Sequence, residues 1–262
     1  MHTIQTATRL VFKIGTSTLT YENGKLNLHR MEAFVRVLSD LKNSGREIVL
    51  VSSGAVSAGR AKLATEKPAT LEEKQALAAV GQAELMRVYE RFFSTYGHPV
   101  AQILMTKDTF DNPIPRANVE NTLNTLLRMG CVPIVNENDS VSYEGLKFGG
   151  NDTLSAYVAL VCHADALINL SDIDGLFDAD PRVNPQAKRI ERVESVDDSI
   201  LSFAGGTGTD RGTGGMVTKL KAAKMVTESG IPMFIVNGTD PDIIYDLLSG
   251  KQVGTAFAAR IQ

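Results

Sequence analysis

Short apolar runs alternate along the chain with longer segments whose apolar residues recur at helical spacing. The short runs predict β-strands over residues 9–14, 48–51, 100–105, 132–135, 166–170 and 233–236. The longer segments predict helices over residues 28–42, 70–95, 117–128, 151–162 and 216–229, the second of them interrupted at Gly81. This alternation, with short connections, predicts an α/β fold in which helices cover both faces of a mainly parallel sheet.

Two segments depart from the alternation. Residues 140–148 predict a small hairpin, and residues 178–202 are more polar and are predicted to form a surface excursion. Neither segment has the composition of a linker, and no internal repeat interrupts the chain. We therefore expect a single domain over residues 1–262.

The composition excludes several classes of protein. Hydrophobic residues make up 43% of the chain and charged residues 22%, as in globular proteins. The 27 basic and 30 acidic residues give a net charge of −3, which does not favour a nucleic-acid partner. Cys131 and Cys162 adjoin apolar runs and are expected to be buried thiols, and no histidine or cysteine spacing indicates a metal site. Without a signal segment or an apolar stretch of ~20 residues, a cytoplasmic protein with no membrane partner is expected.

Polar residues and glycines follow four of the predicted strands. The segments are 15–17 (GTS), 52–54 (SSG), 136–139 (NEND) and 171–175 (SDIDG). Ligands of open parallel sheets bind beyond the carboxyl ends of the strands, so we expect the functional site at this edge. Asn136 to Asp139 and the segment 149–152 (GGND) offer amides and carboxylates that could bind a small zwitterion, although paired Asx turns would have the same composition.

Two lysines lie in surroundings that suit an anion. Lys13 stands in an otherwise apolar strand before a glycine–hydroxyl turn whose backbone N–H groups can bind an anion, although a solvated charge at a strand end is also common. Residues 205–215 include six glycines and lead into the helix that begins near Met216, with Lys219 in its first turn. A flexible loop, a helix N-terminus and a lysine together predict a phosphate site, or a lid that closes over a nucleotide.

The familiar phosphate and hydrolase motifs are absent. The chain has no GxxxxGK[ST] segment, no GxGxxG after its first strand, no protein-kinase elements and no GxSxG. Ser53 precedes a glycine but has no evident histidine partner, so a hydrolase triad is not expected.

Five segments, in their order and spacing, resemble the amino acid kinase superfamily, and within it the enzymes that phosphorylate the side chain of glutamate. They are 11–17 (VFKIGTS), 51–55 (VSSGA), 133–139 (PIVNEND), 151–156 (NDTLSA) and 212–219 (GTGGMVTK). The resemblance extends from about residue 8 to residue 257. It implies a three-layer αβα sandwich in which the N-terminal part binds mainly the substrate and the C-terminal part mainly ATP.

The resemblance also implies the reaction and the residues that perform it. The γ-phosphoryl group of ATP, with Mg²⁺ held largely by phosphate oxygens and water rather than by protein ligands, would pass to the side-chain carboxylate of L-glutamate. The implied catalytic residues are Lys13 and Lys219, which stabilise the phosphoryl group, and Asp152, which holds the two lysines. The implied substrate-binding residues are Ser53, Gly54, Asn136, Asp139 and Asn151. The implied ATP-binding residues are both lysines and Ser171, Asp172, Thr213, Gly214, Gly215 and Met216.

The chain departs from the superfamily pattern at a few positions. Gly150 stands where many members have an aspartate, which bears on substrate affinity or feedback, and Ser171 replaces a threonine but keeps the hydroxyl. The C-terminal PUA domain of RNA-binding type that many members carry is not expected here. The resemblance further implies feedback inhibition by proline and a homodimer or homotetramer.

Two other functions stay open. Another carboxylate or carbamate kinase of the same fold, such as an acetylglutamate kinase or an aspartokinase, would act on a different acceptor. Asp139 favours glutamate, because its carboxylate matches a free ammonium group that an N-acetylated acceptor lacks. A catalytically silent amino-acid sensor would be expected to lack a catalytic lysine, yet Lys13 and Lys219 are both present.

Overall fold

The computed structural model describes residues 4–142, 150–204 and 215–260. Its β-strands are β1 (Arg9–Ile14), β2 (Glu47–Val51), β3 (Val100–Met105), β4 (Val132–Glu137), β5 (Ala166–Ser171), β6 (Leu176–Phe177), β7 (Arg189–Ile190), β8 (Arg192–Val193), β9 (Met233–Asn237) and β10 (Thr255–Phe257). Its α-helices are α1 (Thr16–Leu19), α2 (Leu28–Asn43), α3 (Ala55–Leu63), α4 (Leu71–Thr95), α5 (Lys107–Asp111), α6 (Pro113–Arg128), α7 (Asn151–Val161), α8 (Asp198–Ala204), α9 (Met216–Glu228) and α10 (Ile243–Leu248).

Eight of the described strands form one sheet in the order β3-β4-β2-β1-β5-β9-β10-β8. Neighbouring strands are parallel except for β9 and β10, which are antiparallel. β1 and β5 lie at the centre, where Lys13 is in register with Asn169. The predicted mainly parallel sheet is therefore confirmed, and the carboxyl ends of its central strands meet at one edge.

Two apolar cores lie on opposite faces of the sheet, because alternate residues of a strand point to opposite sides. In β1, Leu10, Phe12 and Ile14 belong to the core beneath α2, α3 and α4. Val11 belongs to the core beneath α6, α7 and α9. The predicted three-layer αβα sandwich is confirmed. By the same alternation Lys13, two residues after Val11, lies on the face covered by α7 and α9.

The predicted interruption at Gly81 is wrong, because α4 continues through this residue. A Cβ atom at Gly81 would lie 1.7 Å from the backbone oxygen of Ala55 in α3. A Cβ atom at Gly59 in α3 would lie 1.9 Å from the backbone oxygen of Leu77 in α4. The two glycines therefore let α3 and α4 cross in backbone contact, and this packing outweighs the ~1 kcal/mol helix penalty of glycine.

The segment 178–202 is more structured than the predicted surface excursion. It includes β7, β8 and the beginning of α8, and β8 pairs with β10 at the edge of the main sheet. Strands of two or three residues carry too little periodicity to be recognised from the sequence. The predicted hairpin over 140–148 falls largely on residues 143–149, which lie outside the described residues.

Both cysteines are free thiols in the structure. Cys162 is buried, as predicted, and burial raises the pKa of its thiol to about 12. Cys131 is only half-buried, because it lies in the turn between α6 and β4. None of the helices in the described ranges combines the length and the apolar character that a membrane span requires.

Candidate active site

A cleft of about 450 Å³ opens at the carboxyl ends of β1, β2, β4 and β5. The predicted site residues that line it are Lys13, Ser53, Gly54, Asn136, Asp139, Asn151, Asp152, Ser171, Asp172 and Lys219. Of the predicted ATP-binding residues, Gly215 is the N-cap of α9 and Met216 is its first residue, and neither lines the cleft. The remaining two, Thr213 and Gly214, lie outside the described residues, as does most of the glycine-rich loop.

Three charged side chains meet at the centre of the cleft. The ammonium Nζ of Lys13 lies 2.7 Å from Oδ1 of Asp152, and Nζ of Lys219 lies 3.2 Å from Oδ2. All three residues are almost fully buried, with 6%, 1% and 5% of their surface exposed. Charges are buried in this way only when they are paired, and here one carboxylate serves two ammonium groups.

Each member of this cluster comes from a different element. Lys13 stands near the end of β1, Asp152 in the first turn of α7, and Lys219 in the first turn of α9. The carboxylate of Asp152 is favourably placed, because the N-terminus of a helix carries partial positive charge. The N-terminus of α9 adds to the positive charge of Lys219, so this corner of the cleft favours an anion.

The ionisation of the cluster follows from burial and from the neighbouring charges. Burial by itself would raise the pKa of Asp152, but the charges of Lys13 and Lys219 outweigh it and hold this pKa at about 2. The pKa of Lys13 is lowered because its ammonium group is buried, and the carboxylate of Asp152 opposes that change. Asp152 is therefore an anion at neutral pH and the anchor for both lysines.

Two further side chains, absent from the sequence-based assignments, orient Asp152. Asn169 Nδ2 donates to its Oδ1 at 2.8 Å, and Thr218 Oγ1 donates to its Oδ2 at 2.7 Å. Asn169 could have been found, because it is an amide in the middle of the apolar strand β5, in register with Lys13. Thr218 lies within the segment 212–219 that carries the family resemblance, but a threonine in the first turn of a helix does not indicate a contact with Asp152.

The opposite half of the cleft is built around Asn151, the first residue of α7. Its Nδ2 lies 2.6 Å from the backbone oxygen of Ser52, 2.8 Å from Oγ of Ser53 and 2.9 Å from Oδ1 of Asn136. These contacts commit the amide nitrogen to protein acceptors. A ligand in the cleft is therefore offered the side-chain oxygen of Asn151, which accepts hydrogen bonds.

Two glycines shape the backbone around this half of the cleft. Gly54 precedes α3 with φ +96°, and Gly150 precedes α7 with φ +114°. Such angles are readily adopted by glycine and rarely by other residues. Glycine at position 150, where many members of the superfamily have an aspartate, thus adopts this angle readily at the beginning of α7.

Lys74 and Glu137 line the cleft as well. Glu137 lies within the polar segment 136–139 that the sequence singles out, whereas nothing in the sequence indicates Lys74. Glu137 is buried at the end of β4, which extends two residues beyond the predicted strand and therefore includes Asn136. Lys74 reaches the cleft from the first turns of α4, far from any strand end, and only the packing of α4 brings it there. Opposite charges thus line the cleft.

The other side of the lysine pair is formed by the end of β5. Ser171 and Asp172 line the cleft there, and Ser171 Oγ donates to Oδ1 of Asp172 at 3.2 Å. Across residues 4–142, 150–204 and 215–260, no group of three or more histidine, cysteine, aspartate or glutamate side chains is arranged to hold a metal ion.

The sequence matches the model of the amino acid kinase family over residues 8–237. The glutamate 5-kinase of Clostridium perfringens is 53% identical over 257 residues, which cover 96% of each chain. That of Clostridium tetani is 52% identical, covering 95% of this chain and 94% of the relative. The glutamate 5-kinase of Caldanaerobacter subterraneus is 51% identical, covering 95% of this chain and 67% of the relative.

Solved structures of other kinases share the fold at low sequence identity. The UMP kinase of Bacillus anthracis superposes with a TM-score of 0.67 at 19% identity, covering 97% of both chains. The isopentenyl phosphate kinase of T. acidophilum gives a TM-score of 0.66 at 16% identity, covering 95% of this chain and all of the other. At these identities the likeness concerns the fold alone. The family match and the relatives at about half identity go further, and the chain belongs to the amino acid kinase family.

Proposed function

We propose that this chain is a glutamate 5-kinase, which transfers the γ-phosphoryl group of ATP to the side-chain carboxylate of L-glutamate. The product is L-glutamyl 5-phosphate, and the reaction is the first step of proline biosynthesis. The observation that carries the proposal is the Lys13–Asp152–Lys219 cluster in the cleft. We assign the half of the cleft around Asn151 to the acceptor and the half around Ser171 and Asp172 to the nucleotide. Relatives of the same name at about half identity support it.

The chemistry requires no general base. A carboxylate is already an anionic nucleophile at neutral pH, so no histidine is needed in the site. Phosphoryl transfer depends mainly on positioning and on neutralising the charge of the transferred group. Lys13 and Lys219 donate hydrogen bonds to the phosphoryl oxygens during transfer, and Asp152 keeps both ammonium groups within reach.

The acceptor half of the cleft suits an amino acid with a free ammonium group. The side-chain oxygen of Asn151 and the carboxylate of Asp139 accept hydrogen bonds from that group. Asn136 holds the side-chain amide of Asn151 in its orientation. Ser53 and the backbone of Gly54 bind the remaining polar atoms of glutamate. Lys74 adds the positive charge that a substrate with two carboxylates requires.

The nucleotide half of the cleft includes Ser171, Asp172 and, from the first turn of α9, Lys219. Thr213, Gly214, Gly215 and Met216 complete the ATP site, together with the two lysines. The donor set of the cleft fits Mg²⁺, which binds mainly phosphate oxygens and water with few carboxylates, and when bound it neutralises charge on the phosphates. A single domain of residues 1–262 thus binds the substrate mainly through its N-terminal part and ATP mainly through its C-terminal part.

The test is ATP consumption with hydroxylamine trapping of the acyl phosphate. Glutamate, N-acetylglutamate, aspartate and carbamate are compared as acceptors at equal concentration. We expect hydroxamate from glutamate alone. Of the four compounds, only glutamate combines a free ammonium group with a side-chain carboxylate long enough to reach the lysine cluster.

Other outcomes of this assay are equally informative. Product from a different acceptor would overturn the assignment of the acceptor pocket while leaving the phosphoryl-transfer site in place. If no acceptor gives product although glutamate or proline still binds, the chain is an amino-acid sensor and not a kinase.

Feedback inhibition by proline is part of the proposal. Proline carries an α-carboxylate like that of glutamate and a secondary ammonium group in place of the primary one, and it lacks the reacting carboxylate, so we expect it to compete with glutamate. Initial rates at a series of proline concentrations should show a rising apparent KM for glutamate with an unchanged kcat. A constant apparent KM at every proline concentration would contradict competition.

The proposal also includes the cellular location, the oligomeric state and the partners of the protein. We place the enzyme in the cytoplasm, where ATP and glutamate are available, as a homodimer or homotetramer. No nucleic-acid or membrane partner is part of the proposal, consistent with the net charge of −3.

A further inference from the structure

A series of side-chain amides leads from the acceptor half of the cleft to the protein surface. Asn151 Nδ2 lies 2.9 Å from Asn136 Oδ1, Asn136 Nδ2 donates to Gln82 Oε1 at 2.9 Å, and Gln82 Nε2 donates to Gln102 Oε1 at 2.9 Å. The first two residues line the cleft. Gln82 in α4 and Gln102 in β3 instead line a separate, neighbouring cavity of about 250 Å³.

In each hydrogen bond of this series, the residue nearer the cleft donates through its amide nitrogen and the next residue accepts through its amide oxygen. The Oδ1 atom of Asn136 accepts from Asn151 and also from the backbone N–H of Glu137 at 2.9 Å. Its Nδ2 must then find an acceptor, because Asn136 is only 2% exposed and an unpaired buried donor is costly. Among the contacts of the described residues, Gln82 Oε1 is that acceptor.

The orientation of Asn136 matters because the opposite orientation cannot be accommodated. If its amide were reversed, an NH₂ group would face both the NH₂ group of Asn151 and the N–H of Glu137. Asn151 would then keep Ser52 and Ser53 as acceptors, but its NH₂ group would face another NH₂ group in place of an acceptor, and this repulsion would displace the oxygen that it offers to a ligand.

We propose that Gln82 is a positioning residue for the acceptor pocket, which acts through Asn136 on Asn151 without touching the substrate. The inference rests on the proposed function, because it assumes that an amino-acid acceptor occupies this half of the cleft. Gln82 is expected to affect binding of the acceptor and not binding of ATP, since the amide series does not reach the lysine cluster.

The first variant is Gln82→Leu, which keeps the size of the side chain and removes the acceptor. We expect the KM for glutamate to rise roughly tenfold, with the KM for ATP within about twofold of the wild-type value. The melting temperature is expected to stay within a few degrees, because Gln82 is half-buried and its loss opens no cavity in the cores.

Two further variants separate positioning from packing. Gln82→Glu keeps an acceptor oxygen for Asn136 Nδ2 but adds a negative charge to a cavity that Glu137 and Asp139 also line, so it should recover part of the affinity for glutamate. Gln102→Leu removes only the outermost amide and should change the KM for glutamate by less than about threefold, because Asn136 keeps its acceptor.

Glutamate binding is also measured directly by titration calorimetry, so that the result does not depend on turnover. If wild-type protein makes no acyl phosphate, the proposed function fails, while the dissociation constant for glutamate still tests Gln82. An unchanged dissociation constant in Gln82→Leu overturns the inference. A parallel loss of glutamate affinity, ATP affinity and melting temperature, or a Gln82→Glu variant as weak as Gln82→Leu, assigns Gln82 to packing and also overturns it.

Discussion

Replacing Lys219 by methionine is expected to lower kcat by about a thousandfold while the protein remains folded. Removing one preorganised donor that stabilises developing charge typically costs 10²–10³ in kcat, about 3–4 kcal/mol. Methionine retains the length and packing of the buried side chain. Asp152 keeps its pairing with Lys13 at 2.7 Å, so the variant leaves no unpaired buried charge.

The measurement is steady-state turnover by hydroxamate formation, with circular dichroism and melting temperature as checks on the fold. Lys221→Met is the matched control, because Lys221 lies on the same helix with an exposed side chain, and its turnover should equal that of the wild type. Unchanged turnover in folded Lys219→Met protein would remove Lys219 from the catalytic machinery.

Replacing Asp152 by asparagine is expected to impair both stability and turnover. The change leaves two buried ammonium groups without their shared carboxylate, and breaking a buried pair in this way typically costs about 3–5 kcal/mol. Turnover should fall at least a hundredfold in whatever protein remains folded, because the two lysines repel each other and lose their fixed positions.

The stability loss should depend on pH in a defined direction. The pKa of Asp152 is about 2 in the folded protein against 3.8 for an ordinary aspartate, so its stabilising contribution is present above about pH 4. The contribution amounts to about 2 kcal/mol and is lost as the pH falls from about 4 to 2. The difference in unfolding free energy between wild type and Asp152→Asn should therefore shrink over that range.

Urea unfolding at pH 7 and at several values down to pH 2 gives these free energies. Asp198→Asn controls for the helix dipole, because Asp198 lies in the first turn of α8 with an exposed side chain, and it should cost less than about 1 kcal/mol. The double variant Asp152→Asn with Lys219→Met should regain part of the lost stability, since it removes one of the two repelling charges. Equal unfolding free energies for wild type and Asp152→Asn at pH 7 would show that the cluster does not stabilise the fold.

The predicted elements agree with the structure where their periodicity is strong. The strand over residues 9–14 matches β1 in full, because an apolar run of that length buries both faces of a central strand. The strand over residues 100–105 matches β3 in full as well, although β3 lies at the edge of the sheet and is only partly buried. The predicted helix over residues 117–128 begins four residues later than α6, whose first turn contains Pro113 and Pro115 and shows no helical spacing of apolar residues. Proline is in fact well suited to the first turn, where no intrahelical donor is required.

The residues of the candidate site were also predictable only in part. The polar residues at the strand ends could be assigned to one site from the sequence, since parallel strands bring their carboxyl ends to one edge of the sheet. Asn169 is conspicuous in the sequence as an amide within an apolar strand, but its role, like that of Gln82, depends on partners in other elements. An isolated amide in a strand or helix does not reveal which side chain it will meet.

The sequence by itself predicted the α/β class, the central strands and the edge of the sheet where the cleft lies, and the family resemblance singled out two lysines and one carboxylate for phosphoryl transfer. Only the tertiary structure decided that one carboxylate serves both lysines, with Asp152 and Lys219 separated by 67 positions in the chain. It also decided that Gly81 permits a helix crossing rather than ending a helix. The physical reason is that periodicity and composition are local, whereas hydrogen bonds, ion pairs and close backbone approaches depend on which elements pack together.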